Sequence, residues 1–84
     1  MNRIEWKQKA VKQLLRLSPL WQVRIRDAVG ALREFPNTPN VKVLREHEFS
    51  YRLRVGRYRV MFEFEGRIKV VTIEEVKKRD EHTY

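Results

Sequence analysis

The sequence predicts a two-layer α+β fold, with an N-terminal helical hairpin packed on an antiparallel β-sheet. Three observations carry this expectation. Apolar residues recur at helical spacing as far as Pro36, the pattern drops to a period of two from Ser50 onward, and the loop "PNTPN" separates the two regimes. The 84 residues are enough for one domain over 1–84 and too few for two. A chain this short buries only about 60–65% of its unfolded surface, so the core is thin and each large apolar side chain matters.

The elements follow in order. "NRIEW" alternates polar and apolar, with Ile4 and Trp6 on one side, and fits either a short strand or the entry to a helix. In "KQKAVKQLLRL" the stripe Trp6, Ala10, Leu14 and Leu17, widened by Val11 and Leu15, faces away from Lys7, Lys9, Lys12 and Gln13. Ser18-Pro19 restarts the chain as a second helix, with serine at the cap and proline in the first turn, where its missing N–H costs nothing. Trp21, Ile25, Ala28 and Leu32, with Val29, supply that helix's apolar face. Gly30 weakens it and Pro36 stops it.

Three strands are then expected as a meander. "SYRLRV" sets Tyr51, Leu53 and Val55 against Arg52 and Arg54, and Gly56 turns the chain. "YRVMFEFE" sets Tyr58, Val60, Phe62 and Phe64 against Arg59, Met61, Glu63 and Glu65. Glu65-Gly66 makes a hairpin into "RIKVVTIEEV", where the run Val70-Val71-Thr72-Ile73 reads as a central strand. Two apolar helix stripes need one sheet face to cover them, so Arg52, Arg54 and Arg59 stand on the other.

Composition narrows the function. The absence of cysteine excludes disulfides and thiolate metal sites, and no apolar run is long enough to span a membrane. "MNRIEWKQKA" lacks the apolar core of a signal peptide, so a cytoplasmic protein is expected. The net charge is +8, concentrated over residues 42–59, where six Lys/Arg face two Glu. Arginine is planar, always charged and able to bond bidentately, so a cluster of it on a rigid sheet fits phosphate and points to a polyanion partner. His47 sits between Glu46 and Glu48, but adjacent strand residues point different ways, and no metal site is read there.

The stretch "YRLRVGRYRVMFEFEGRIKVVTIEEVKKRDEHTY" resembles the RelE toxins of the RelE/ParE superfamily, the toxin halves of bacterial toxin–antitoxin pairs. The resemblance covers residues 41–84 and the general layout of the helical hairpin. It implies a RelE-like fold and a metal-independent endoribonuclease, without cofactor, that cuts messenger RNA in the ribosomal A site by attack of the RNA's own 2′-hydroxyl. The implied partners are a cognate antitoxin and the ribosome with its mRNA and rRNA, and the consequence is inhibited translation. By the same resemblance Arg59 holds the scissile phosphate, Arg79 stabilises charge or protonates the leaving oxygen, and Tyr84 stacks on a base or orients the 2′-hydroxyl. Lys42 and Arg45, with Arg52 and Arg54, contact the RNA; Arg57, Lys77 and Lys78 join the candidate RNA contacts by their charge.

The sequence departs from the family at "VLREHEF", at Arg57 and in the ending "KKRDEHTY", which leaves the proton-transfer roles open. His82 is a candidate general acid, because histidine changes charge near neutrality, and Glu46 or Glu81 a candidate base. Two alternatives stay open: a ParE-like toxin acting on DNA gyrase, and a non-catalytic module of the same fold that binds RNA or antitoxin.

Overall fold

The computed structural model describes residues 1–79. The elements run β1 (Arg3–Trp6), α1 (Gln8–Leu15), α2 (Pro19–Gly30), a 3-10 turn (Ala31–Glu34), β2 (Val41–Val43), β3 (Tyr51–Val55), β4 (Tyr58–Glu65) and β5 (Val70–Lys78). Two helices cover one face of a five-stranded sheet in the order β1-β5-β4-β3-β2. This is the expected two-layer α+β fold, with the sheet mixed rather than wholly antiparallel, because β1 runs parallel to β5 (Ile4 opposite Val71, Trp6 opposite Ile73). The pairing places the N-terminal segment beside the last strand. Sequence pattern alone does not carry that information, since a four-residue strand's partner lies far along the chain.

The meander is as the alternation predicts. Tyr51 pairs with Phe62, Leu53 with Val60 and Val55 with Tyr58. Phe62 in turn pairs with Ile73, and Val60 with Val76. These residues meet Ala10, Leu14, Ile25, Val29, Leu32 and Phe35 in a continuous core. The Phe35 ring packs edge-on against Tyr51, Phe62 and Phe64, with centroids 5.0–5.3 Å apart. Such edge-to-face pairs add specificity to simple burial.

The ends of the elements differ from the reading of the sequence. The Ser18 side chain makes no cap hydrogen bond; its carbonyl accepts from Gln22 N–H at 3.0 Å, and Pro19 sets the first turn. The β4–β5 connection spans residues 66–69, and Lys69, not Gly66, takes positive φ, at 54°. β5 continues through Lys77 and Lys78, which therefore belong to the sheet. Opposite Met61 and Phe62 the partner jumps from Glu75 to Ile73, so Glu74 is an extra residue in β5, a β-bulge. Past the bulge, Val76 N–H has left β1 behind and donates to Gln13 Oε1 at 2.7 Å, which closes the ladder with a helix side chain.

The first residues are anchored too. Asn2 is buried, and its Nδ2 donates to the carbonyls of Leu32 (3.1 Å) and Phe35 (2.8 Å), binding the start of β1 to the end of the second helical segment. Among the described residues no helix is long and apolar enough to cross a membrane.

Candidate functional site

The face of the sheet away from the helices carries two rows of side chains. One runs Lys42, Arg52, Met61, Glu75 across β2, β3, β4 and β5; the next runs Arg54, Arg59, Lys77 across β3, β4 and β5. Strand alternation puts them there, because Leu53, Val60 and Val76 between them are buried against the helices. The register of the β3–β4 hairpin is set by the tight turn at Gly56-Arg57, where Gly56 has φ 56°.

The rows end in a concavity of about 190 Å³ lined by Lys42, Arg52, Arg54, Tyr58, Arg59 and Arg79. Arg79 arrives there because its N–H donates to the Arg57 carbonyl at 2.6 Å, one step beyond the Tyr58–Lys78 pair. Among the described residues the lining holds four arginines and a lysine and no carboxylate. Guanidinium forks converging from β3, β4 and the end of β5 suit an anion with several acceptor oxygens, a phosphodiester above all.

The neighbouring row is balanced differently. Glu75 is only 3% exposed, and its carboxylate lies 3.4 Å from Lys9 Nζ on α1 and 3.1 Å from Lys77 Nζ. Glu75 thereby ties Lys77, opposite Arg59, to the sheet and brings in α1 from the edge. Burial of a carboxylate requires such partners.

Lys42, Arg52, Arg54, Arg59 and Arg79, singled out from the sequence, come together in this concavity. Lys77 stands next to it on the same face, while Lys78 pairs with Tyr58 on the following position of the strand. Arg45 and Glu46 lie exposed in the segment between β2 and β3, where Glu46 has φ 52°, and neither lines the concavity. Arg57 turns instead toward Trp21, its guanidinium carbon 5.7 Å from the ring centroid. Glu81, His82 and Tyr84 lie outside the described residues.

Two residues were missed in the sequence. Tyr58 packs against the core, as the alternation predicts, and edge-on against Trp21 at 5.0 Å, but as the first residue after the turn it also lines the concavity. Glu75 carries no sequence signal of its burial, because the bulge at Glu74 is what sets it opposite Met61. Among the described residues no cluster of three His, Cys, Asp or Glu forms a candidate metal site.

Comparison with known proteins places this geometry in context. No curated protein matches the chain. The family model of the ParE toxin of type II toxin–antitoxin systems matches residues 4–82. Among solved structures, the archaeal RelE–RelB complex from Pyrococcus horikoshii OT3 is 27% identical, with a TM-score of 0.79 over 95% of this chain and 97% of that one. The RelBE2 toxin–antitoxin complex of Mycobacterium tuberculosis is 25% identical, with a TM-score of 0.75 over 93% of this chain and 98% of that one. The isolated E. coli RelE toxin, 17% identical over 95% of this chain and 86% of that one, shares the fold with a TM-score of 0.79. With a family match over nearly its whole length and the fold of the RelE structures, the chain belongs to the RelE/ParE superfamily, the toxins of type II toxin–antitoxin systems.

Proposed function

We propose that the protein is the RNA-cleaving kind of RelE/ParE toxin: a ribosome-dependent messenger-RNA endoribonuclease that acts in the cytoplasm and is silenced by a cognate antitoxin. The observation that carries this reading is the concavity of Lys42, Arg52, Arg54, Arg59 and Arg79 on a rigid sheet, which among the described residues holds no carboxylate. The likeness to toxins solved in complex with RelB antitoxins supports the antitoxin partner.

Cleavage by the RNA's own 2′-hydroxyl needs the scissile phosphate held in line, a group to take the hydroxyl proton, a group to protonate the departing 5′-oxygen, and cations for the charge on the pentavalent phosphorus. The 2′-oxygen bonds to phosphorus as the 5′-oxygen leaves, giving a 2′,3′-cyclic phosphate and a 5′-hydroxyl. Arg59, central in its row, holds the phosphate, with Arg52 and Arg54 beside it. Arg79 faces the same volume and neutralises the leaving oxygen. Tyr84 stacks on a base or orients the 2′-hydroxyl, and His82 or Glu81 moves the protons. Glu46, outside the concavity, is the weaker candidate for base. Lys42, Lys77 and Lys78 bind the flanking backbone, with Arg45 at the periphery.

The decisive experiment is induced expression with mapping of transcript 5′ ends. New ends inside translated codons, lost in Arg59→Ala, support the proposal; arrested growth with intact messages rejects it. The match to the ParE family model favours a second reading, a toxin acting on DNA gyrase. Inhibition of gyrase supercoiling by the purified protein is the result that reading requires.

A further inference from the structure

We propose that Trp21, Arg24 and Arg57 form a second contact for the RNA strand, beside the cationic concavity and joined to it through Tyr58; the inference rests on reading that concavity as an RNA site. Trp21, in the first turn of α2, is half-buried over the β3–β4 turn. Its ring lies so close to Gly56 that a Cβ there would fall 2.5 Å from ring carbon Cη2. Its edge packs against Tyr58, itself part of the concavity wall. Two guanidinium groups are held against the same ring, Arg24 at 5.2 Å and Arg57 at 5.7 Å from the centroid. Both lie within the reach of a cation–π interaction.

Two like charges gathered on one indole repel each other. Among the described residues neither has a carboxylate within ion-pair distance. An incoming phosphate removes that repulsion. The guanidinium planes also offer surfaces on which unpaired bases stack, as arginine and aromatic side chains do with splayed RNA. Because Trp21 already orders both arginines, little side-chain freedom is lost on binding. A strand with one phosphate among Arg52, Arg54 and Arg59 meets this platform when it leaves across Tyr58. The Arg79–Arg57 backbone bond fixes platform and concavity relative to each other.

The test uses the full chain carrying Trp6→Phe, which leaves Trp21 as its one tryptophan. A short single-stranded 2′-O-methyl oligoribonucleotide, which lacks the nucleophile, is the probe, followed by tryptophan emission and by anisotropy of the labelled strand. Binding is expected to quench Trp21. R24E with R57E is expected to weaken binding about tenfold or more. The slope of log K against log salt should fall by about 1.4, roughly 0.7 per lost contact. Both substitutions are at exposed positions and leave Trp21 in place, and circular dichroism checks the fold. If R52A with R54A abolishes binding while R24E with R57E and Trp21 emission are unaffected, this contact is overturned and the reading of the concavity stands. Failure of the parent chain to bind RNA overturns both. A response of Trp21 to an acidic peptide of equal charge and not to RNA assigns the platform to a protein partner and overturns the proposal.

Discussion

Arg54 and Arg59 face each other directly across the β3–β4 hairpin. Directly opposed like charges are unfavourable in a sheet, whereas two opposed guanidinium groups suit a surface that binds an anion. Arg54→Thr removes one charge from an exposed strand position and adds a β-branched residue. Stability in urea unfolding should stay constant or rise, by up to about 0.5 kcal/mol, while affinity for single-stranded RNA falls. Loss of stability together with affinity would contradict the trade-off.

Gly56 serves the turn in two ways. Its φ of 56° is one that side chains seldom adopt, and the Trp21 ring fills the space where a Cβ would go. Gly56→Ala should cost about 1–2 kcal/mol for the backbone alone, with more from displacing Trp21. The displaced indole should also show in the near-ultraviolet circular dichroism. A variant as stable as the parent would mean that the ring moves aside freely.

Phe62 is fully buried, stacked on Tyr51 and edge-on to Phe35. Phe62→Ala should cost about 3–5 kcal/mol. In a thin core that is a large part of the whole stability, so the variant should be largely unfolded at 37 °C by far-ultraviolet circular dichroism. Phe62→Leu, which keeps most of the volume, should fold.

The sheet face and the hairpin were readable because alternation is local: Tyr51, Leu53 and Val55 against Arg52 and Arg54 need no knowledge of distant neighbours. The five cations of the concavity followed from that alternation together with the family resemblance. What could not be read depends on long-range pairing. The parallel partnership of β1 with β5 links residues about seventy positions apart. The bulge at Glu74 shifts the strand by one residue, buries Glu75 beside Lys9 and Lys77, and carries β5 on to Lys78. Arg57 was read as facing RNA from its charge alone, because nothing local announces that Trp21 of a different element lies beneath it.

That same long-range logic gives a prediction for Gln13. Its Oε1 accepts the Val76 N–H at 2.7 Å, at the point where β5 has passed the end of β1 and runs on toward Arg79. Val76 is buried, so water is a poor substitute for the lost acceptor. Gln13→Leu keeps the bulk but leaves the amide unsatisfied, at a cost of about 1–3 kcal/mol. Hydrogen exchange should locate the damage: the Val76 and Arg79 amides should lose protection, while those of β3 keep theirs. Because Arg79 is set into the concavity by this strand end, RNA affinity should fall as well, although Gln13 lies on α1 and does not line the concavity. Gln13→Glu retains an acceptor oxygen and should restore most of the protection, which separates loss of the hydrogen bond from a general loosening of α1.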